Sequence, residues 1–489
     1  MSHSLLDYRF AWRCLLPAEL IANAGVQLRL WGFAEEEEEF WRDWFGQQSR
    51  HMKVERGEGG QVQLVDAQRC EKLEQPSPAE LARADLVVVL ADRAQSRKWH
   101  HLLSEAFPKV REFALLPRGN PRVVVPLGQR RHTLAGLDLH RPGRWLARAG
   151  IGVARGLAAI GQLSLLRGRV LLIAERKLGA VPTCAAQAGP AKTAYSQPSH
   201  EFALYLGTPG DNRKTVMLPL GLCPPTLILK TGTTSRARAS LYNEAMTLAA
   251  LAGTPLAGQV PRLLGQQTCA DTLTLQQEFR PRRRVAKARQ ETAVVDFLSQ
   301  LAGLSARPVA LGELLAALPT QLRNLENGRT HARLNAELPA ALLGGSALAV
   351  RYRHNEAAAS AYLALRARLG SLDAQGEIAW VQRTHGDFAP WNCAWSDDGL
   401  FVYDWEDSRD SGLALSDAFY YATAPALFLR RKPRAAATLA AALALAKRVA
   451  VASPTSLNVH IQLALWLLEQ AGKAAFYDKL LIELSQSWK

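Results

Sequence analysis

Polar residues in the C-terminal part of the chain are spaced as a phosphoryl-transfer site would require. Residues 384–392 read T-H-G-D-F-A-P-W-N, so Asn392 follows Asp387 after four intervening residues. A carboxylate can orient an acceptor hydroxyl and accept its proton. An amide oxygen close behind it can bind a magnesium ion on nucleotide phosphates. We therefore predict that Asp387 is the catalytic base and that Asn392 is a metal ligand.

A second carboxylate, Asp404, stands at the far end of a predicted β-hairpin. The chain after Asn392 reads C-A-W-S-D-D-G-L-F-V-Y, in which Asp398-Gly399 is a turn signal between apolar residues. A hairpin returns the chain to its origin, so Asp404 is expected beside Asn392, where both side chains offer oxygen to a hard cation. The sequence thus predicts Asp404 as the second metal ligand.

The motif H-G-D-x-x-x-x-N, followed by a hairpin into D-W-E, resembles the aminoglycoside phosphotransferase and choline kinase-like family. The resemblance covers residues 200–489, and the variant H-G-D-F-A-P-W-N is similar to bacterial members found among cell-surface polysaccharide functions. It implies a two-lobed, protein-kinase-like fold. It also implies an enzyme that uses ATP and Mg²⁺ to phosphorylate a hydroxyl of a small molecule. Asp417, in L-S-D-A-F, resembles the family's aspartate that braces the catalytic loop.

Family members also carry a strand lysine that pairs with the nucleotide phosphates and a helix glutamate that holds this lysine. Lys230 ends the apolar strand T-L-I-L-K, and Glu244 lies in a predicted helix at N-E-A-M-T-L. Their spacing fits that lysine–glutamate pair. Gly207 and Gly210, in G-T-P-G-D-N-R-K, lie where a phosphate-covering hairpin belongs. They depart from the kinase pattern G-x-G-x-x-G, so a plain hairpin turn is the alternative role for them.

The N-terminal part of the chain has a different pattern, with short apolar runs separated by helical patterns. Residues 84–92 read A-D-L-V-V-V-L-A-D, which is typical of a buried parallel strand. No G-x-G-x-x-G follows a strand in this region, so the turn that would cradle a dinucleotide is missing. We expect a degenerate Rossmann-like scaffold here, and a cofactor site is the alternative.

A chain of 489 residues is too long for one ordinary core. We predict an α+β protein of four parts. An α/β module at 1–105 precedes a connecting region at 106–198, a β-rich kinase-like N-lobe at 199–281 and a helical C-lobe at 282–489. An Ala/Pro/Ser-rich linker at 182–200 is the expected cut between domains, so the part from residue 195 onwards is expected to fold alone.

The chain is basic, with 59 Lys and Arg against 44 Asp and Glu. Nucleic acid, an anionic membrane surface or an anionic small molecule would each suit this charge. No zinc-finger spacing, RNA-recognition strand or basic zipper is present, so no nucleic-acid partner is expected. In residues 141–155, Arg144, Arg148 and Arg155 share one side of a helix. This pattern predicts peripheral contact with an anionic membrane, and a helix packed on its own domain is the alternative.

The expected location follows from the cysteines and the apolar runs. The six cysteines are scattered without a C-x-x-C pair, as in proteins whose thiols stay reduced. The N-terminus lacks the pattern of a secretory signal, and no uncharged apolar stretch approaches the ~20 residues of a membrane span. We expect a cytoplasmic protein, peripheral to the inner face of the membrane if the basic helix binds there.

Two classes of function remain open. The leading one is a phosphotransferase for a small-molecule hydroxyl, such as a sugar or a polysaccharide precursor. A non-catalytic, kinase-like scaffold or regulator of a cell-surface polysaccharide pathway is the alternative. The retained lysine, glutamate, base and metal ligands favour the enzyme. The departures H-G-D from H-R-D and D-W-E from D-F-G favour a small molecule over a protein acceptor.

Overall fold

The computed structural model describes residues 27–31, 53–54, 62–66, 76–117, 121–139, 145–163, 169–175, 201–207, 210–220, 226–269, 272–280, 287–326, 355–396, 399–430, 432–471 and 473–488. The chain divides into two compact units. The first comprises Met1–Tyr242 and Leu263–Arg280, and the second comprises Asn243–Arg262 and Pro281–Lys489.

A single sheet of twelve described strands forms the framework of the first unit, in the order β11-β12-β10-β9-β8-β6-β5-β7-β4-β3-β1-β2. The strands are β1 (Gln27–Trp31), β2 (Lys53–Val54), β3 (Val62–Asp66), β4 (Leu86–Asp92), β5 (Lys109–Leu116), β6 (Val123–Pro126), β7 (Arg169–Glu175), β8 (Phe202–Tyr205), β9 (Lys214–Pro219), β10 (Leu227–Gly232), β11 (Leu263–Cys269) and β12 (Thr272–Glu278). The helices are α1 (Pro78–Leu81), α2 (Arg93–Ala106), α3 (Arg130–Asp138), α4 (Trp145–Ala159) and α5 (Ser235–Leu251), which continues into the second unit.

The predicted buried strand at 84–92 is β4, and six of its seven residues are buried. It runs parallel to β3, which is parallel to β1, as an α/β module requires. Its other neighbour, β7, is antiparallel, so the sheet is mixed and only this end of it has Rossmann-like strand directions. Asp92 ends β4 and caps α2, because its carboxylate accepts from the backbone N–H groups of Ala94 and Gln95.

The sheet does not break where the sequence predicts the boundary between the connecting region and the N-lobe. Strand β6 pairs antiparallel with β8, with Val123 opposite Tyr205 and Val124 opposite Leu204. Helix α3 packs across the two strands so closely that a Cβ on Gly136 would lie 2.8 Å from the Ala203 Cβ. The four-part division stays a prediction. The expectation that the part from residue 195 onwards folds alone is not supported. Its first described strand, β8, pairs with β6, which lies before residue 195.

Polar and aromatic side chains reinforce this junction. Arg111 on β5 lies over the rings of Phe113 and Phe202, which stack with their centroids 4.7 Å apart. Its guanidinium also pairs with Glu175 on β7. Because Phe202 belongs to β8, aromatic stacking joins the strands on both sides of the predicted linker. The linker residues 182–200 themselves lie outside the described residues.

The predicted basic segment at 141–155 overlaps α4. Ala154 and Ala158 are buried in a core cluster with Leu163, and Arg155 is exposed and paired with Asp138 of α3. The segment therefore packs on its own unit, as one of the two alternatives predicts. The side chains of Arg144 and Arg148 lie outside the described ones, and membrane contact by the outer face stays a prediction.

The described part of the second unit is mainly helical. Its helices are α6 (Lys287–Ser305), α7 (Leu311–Glu326), α8 (Glu356–Ala374), α9 (Ser416–Leu429), α10 (Ala435–Ala452), α11 (Val459–Gln470) and α12 (Ala475–Ser487). Strands β13 (Arg307–Ala310), β14 (Ile378–Thr384) and β17 (Arg409–Leu413) form a small antiparallel sheet, and β15 (Cys393–Ser396) and β16 (Gly399–Val402) form a hairpin. The predicted α+β class is confirmed.

Helix α11 lies at the core of this unit. Nine of its twelve residues are buried. Trp466 contacts the rings of Phe419 on α9 and Tyr477 on α12, at centroid distances of 5.5 and 5.6 Å. The helices that carry the residues around the predicted catalytic loop are thus held together by aromatic packing.

Among the described residues, helix α10 alone is long and apolar enough to cross a membrane, with a mean hydropathy of 1.6. It packs against α6, α9 and α12 and carries Lys447 and Arg448 near its end. Length and composition are weak evidence for a membrane span, since the core helix of a folded domain can satisfy both.

Candidate active site

The loop that follows β14 is held by one buried carboxylate. The Asp417 side chain, at the start of α9, accepts from the backbone N–H groups of His385 at 2.7 Å and Gly386 at 3.1 Å. Complete burial raises the pKa of Asp417 to about 6, against the effect of these two donors. Asp417 therefore braces the loop, as the family resemblance implies.

His385 is fully buried and links this loop to the hairpin. Its Nε2 lies 2.7 Å from the carbonyl oxygen of Tyr403, so Nε2 carries the proton and donates. Its Nδ1 then accepts from the backbone N–H of Asp387 at 3.2 Å. The imidazole packs against Trp405, with ring centroids 4.6 Å apart. Both ring nitrogens are engaged, so His385 shapes the loop.

Gly386 is required by the geometry of the loop. Its φ is +84°, and a Cβ at this position would lie 2.1 Å from the backbone oxygen of Asp407. A side chain would meet both a strained backbone and a rigid neighbour. Asp404 also has a positive φ, of 71°, although it is not a glycine. Strain of this kind in a non-glycine residue concentrates at functional sites.

Asp387 and Asn392 contact each other directly. The Asn392 side-chain nitrogen donates to Asp387 Oδ2 at 2.8 Å and to the Asp387 backbone oxygen at 2.9 Å. Because the nitrogen makes both bonds, the amide oxygen of Asn392 is the atom that can bind a metal. The backbone N–H of Tyr403 donates to the Asn392 carbonyl at 2.9 Å, so the end of the hairpin lies beside Asn392 as predicted.

The surroundings of Asp387 tune its carboxyl group. Burial and, to a smaller extent, the negative charge of Asp404 raise its pKa to about 6, although hydrogen bonds from Tyr420 and Asn392 lower it. Tyr420 donates to Asp387, and its own pKa is raised by burial and by the carboxylate. Burial and the same charge raise the pKa of Tyr477 to about 12. Asp387 is thus a carboxyl group with a pKa close to neutral, which suits a general base.

Three carboxylates form a cluster that could hold a metal ion. The side chains of Glu244, Asp404 and Glu406 each offer an oxygen, and these oxygens lie within 4.8 Å of one another. Asn243, next to Glu244 on α5, donates to the backbone oxygens of Glu406 and Ser408 at 2.9 Å each, which fixes this approach. Carboxylate oxygens are the donors that Mg²⁺ prefers, so the cluster fits that ion.

Two contributors to this site, Glu406 and Tyr420, were not predicted from the sequence. Glu406 is the last residue of D-W-E, and its position two residues after a predicted metal ligand could have indicated its role. Tyr420 lies three residues after Asp417 on α9, a spacing that puts the two on neighbouring parts of one helix face. Glu244 was predicted to hold Lys230. That role stays a prediction, and the structure adds the carboxylates of Asp404 and Glu406 as its neighbours.

The predicted nucleotide-binding residues of the first unit lie on β10 and before β9. Lys230 is buried within β10, opposite Val216 of β9 and Leu275 of β12. Gly207 has a φ of +68°, and a Cβ there would lie 2.2 Å from the backbone oxygen of Lys214. Gly210 has a φ of +141°, with no described atom within 4 Å of its Cβ position. Both conformations favour glycine, and contact of either residue with ATP stays a prediction.

Comparison with known proteins bears on the region that contains this site. Residues 220–443 match the model of the phosphotransferase enzyme family. This match confirms the predicted resemblance over that region and supports a phosphotransferase that acts on a hydroxyl group of a small molecule. No curated protein matches the chain.

Several solved structures are similar to part of the chain. An aminoglycoside phosphotransferase from Streptomyces rimosus is 14% identical over 58% of this chain and 92% of its own, with a TM-score of 0.33. A putative fructosamine-3-kinase from Haemophilus somnus is 14% identical over 57% of this chain and 89% of its own, with a TM-score of 0.35. The choline kinase LicA from Streptococcus pneumoniae is 13% identical over 56% of this chain and 89% of its own, with a TM-score of 0.33. These similarities are too distant to indicate a substrate.

Proposed function

We propose that this protein is an ATP- and Mg²⁺-dependent phosphotransferase that transfers the γ-phosphoryl group to a hydroxyl of a sugar or a polysaccharide precursor. The observation that supports the proposal most strongly is the setting of Asp387. Its carboxylate is oriented by Asn392 at 2.8 Å and by Tyr420, within a family-matched region.

In this mechanism Asp387 orients the acceptor hydroxyl and takes its proton as the oxygen attacks phosphorus. One carboxylate oxygen, Oδ2, already accepts from Asn392, so the direction of the carboxylate is set before the acceptor arrives. Such preorganisation lowers the barrier because no reorientation is needed during the reaction. The pKa of about 6 leaves Asp387 ionised at neutral pH and still basic enough to hold the transferred proton.

The residues proposed to hold Mg²⁺ are Asn392, Asp404 and Glu406, with Glu244 beside them. When bound, this ion would neutralise charge on the nucleotide phosphates. In the first unit, Lys230 is proposed to bind the phosphates, and the backbone around Gly207 and Gly210 to cover them.

The groups around Asp387 favour a neutral acceptor over a polycation. Tyr420 on α9 donates to the Asp387 carboxylate, and the charge of Asp387 also acts on the buried Tyr477 on α12. The half-buried Tyr420 places an aromatic ring without a charge beside the carboxylate. A formal charge of +15 on the chain also disfavours a polycationic acceptor. A sugar, with hydroxyls and apolar ring faces, matches such a surface.

The proposed location is the cytoplasm, with the outer face of α4 resting on the inner face of an anionic membrane. Val153 and Ile160 are 56% and 69% exposed on one side of the helical segment, and Arg155 is exposed about 200° round the helix from Val153. The basic side of this helix would attract anionic headgroups, so binding should depend on salt. Flotation with vesicles rich in phosphatidylserine should carry the protein upward at low salt and release it at high salt. Equal flotation with neutral vesicles would contradict the proposal.

The function itself is tested with the full-length protein, ATP and Mg²⁺ against a panel of sugars and sugar alcohols. Phosphorus NMR of the products should show a new phosphate ester formed in step with ADP, and only when Mg²⁺ is present. Aminoglycosides serve as the polycationic comparison and should be poorer acceptors. ATP binding without any acceptor turnover would favour the scaffold or regulator instead, and no nucleotide binding would refute both forms of the kinase-like proposal.

A further inference from the structure

We propose that Arg122, which precedes the family-matched region, positions the glycine loop and so makes the N-terminal part of the chain a contributor to nucleotide binding. The glycine loop denotes Gly207, Gly210 and the described residues from Gly210 to Arg213. The inference rests on the proposed function in one respect, namely that this loop covers the phosphates of ATP. The contacts that support it lie wholly within the first unit.

Arg122 holds the start of the loop through its side chain and its backbone. Its Nη1 donates to the carbonyl oxygen of Gly207 at 2.7 Å. Its own carbonyl accepts from the backbone N–H of Leu206 at 2.8 Å. The ladder between β6 and β8 begins at the next residue pair, Val123 and Tyr205. The backbone of Arg122 therefore adds one more hydrogen bond to the ladder between β6 and β8. Its charged side chain then bonds to the first residue of the loop.

Arg122 bonds to the glycine of this loop that has the closest neighbouring atom. Gly207 has a φ of +68°, and its Cβ position is only 2.2 Å from the backbone oxygen of Lys214, where β9 begins. Arg213 closes the same turn, because its Nε donates to the Leu206 carbonyl at 2.8 Å. Two guanidinium groups thus fix two successive carbonyl oxygens. The orientation of those peptide groups is set by arginine side chains as well as by the local turn.

The far side of the loop is tied to the beginning of α5. The Thr234 hydroxyl donates to the backbone oxygen of Asp211, and the Ser240 hydroxyl donates to Asn212 Oδ1 at 3.0 Å. Thr234 also accepts from the backbone N–H of Ala237 at 3.1 Å and so caps the helix. The glycine loop is therefore held from α5 on one side and from Arg122 on the other. Removing the Arg122 side chain takes away the charged donor on its side of the loop, while the backbone bond between Leu206 and residue 122 remains.

A loop that is ordered before ligand arrives spares the ligand the cost of ordering it. A hydrogen bond from a charged donor is stronger than one between neutral groups. Replacing Arg122 by an apolar side chain should therefore weaken ATP binding, while Asp387 and the acceptor site stay unchanged. We expect a rise of about tenfold in KM for ATP, which corresponds to about 1.4 kcal/mol. The turnover number and the KM for the acceptor should change less than about threefold.

The experiment compares Arg122→Met, Arg122→Lys and Arg155→Gln in the full-length chain. Arg122→Met removes the charged donor, and Arg122→Lys retains a donor and should recover part of the ATP affinity. Arg155→Gln is the matched control, because Arg155 also lies upstream of the family-matched region but pairs with Asp138 on the surface of α4. Steady-state kinetics gives the KM for ATP when ATP is varied and the KM for the acceptor when the acceptor is varied. Hydrogen exchange of peptides covering 201–220 reports the order of the loop directly.

We expect Arg122→Met to raise both the KM for ATP and the exchange rate of these peptides, and Arg155→Gln to match the wild type. Wild-type exchange and a wild-type KM for ATP in Arg122→Met would overturn the inference and leave the proposed function standing. A wild-type protein that binds no nucleotide would overturn both. A general loss of protection across the sheet in Arg122→Met and Arg122→Lys alike would show that Arg122 stabilises the fold and does not position the loop.

Discussion

The substitution Asp387→Asn should separate catalysis from folding. Asparagine keeps the shape of the side chain, and its one carbonyl oxygen can still accept from Asn392, but it cannot take a proton from an acceptor hydroxyl. General-base contributions are commonly about 10²–10⁴-fold, so the turnover number should fall by that factor. At 25 °C this range corresponds to about 3–5 kcal/mol of transition-state stabilisation.

The same substitution should leave the protein at least as stable as the wild type at neutral pH. The pKa of Asp387 is raised from 3.8 to about 6 in the folded protein, so folding favours the protonated form. Its contribution to stability is therefore fully present below pH about 4 and is lost as the pH rises through about 6. At pH 7 the buried charge costs up to about 3 kcal/mol of folding free energy. Because the carboxylate is partly exposed, solvent screening makes the actual cost smaller. The substituted asparagine side chain carries no charge and avoids this cost.

Two measurements test this prediction. Single-turnover assays with saturating ATP and Mg²⁺ give the rate of phosphoryl transfer, and urea unfolding at pH 5 and pH 7 gives the free energy of unfolding. The wild type should lose more stability between these two pH values than Asp387→Asn does. Asp407→Asn is the matched control, since Asp407 is an exposed carboxylate close enough to raise the pKa of Asp387. Turnover by Asp387→Asn within a factor of two of the wild type would refute the assignment of the base.

Three further substitutions or truncations have definite expected outcomes. Gly386→Ala should destabilise the fold by more than about 2 kcal/mol, because its Cβ would overlap a backbone oxygen, whereas Gly370→Ala on the open face of α8 should be neutral or stabilising in thermal unfolding. Asp404→Ala should lose more Mg²⁺-dependent ATP binding than Asn392→Ala, since a carboxylate binds a hard cation more strongly than an amide does. Calorimetric titration measures both losses, and equal losses would count against Asp404 as the main ligand. A chain of residues 195–489 should aggregate or bind ATP weakly, because β8 loses its pairing with β6, and a soluble monomer with full ATP affinity would show that this pairing is dispensable.

Short-range features of this protein were predictable from its sequence. The hairpin of β15 and β16 pairs Cys393 with Val402 as its turn signal indicates. Asn392 bonds to Asp387 because a turn of a few residues brings them together. An unbroken apolar run predicts the buried strand β4. In each case the signal and the structure lie within about a dozen residues, so local geometry determines the outcome.

Tertiary structure alone decided which distant segments meet. The continuity of the sheet through β6 and β8 rests on contacts such as the bond between Arg122 and Gly207, which are 85 residues apart. Asn243 reaches Glu406 across 163 residues and brings the carboxylate of Glu244 to that of Asp404. The sequence does not specify which segment a strand edge or a carboxylate will meet, because many partners could accept from a backbone N–H or share a cation. The choice among them is made when apolar side chains from all the segments are buried together, and that depends on the whole chain at once.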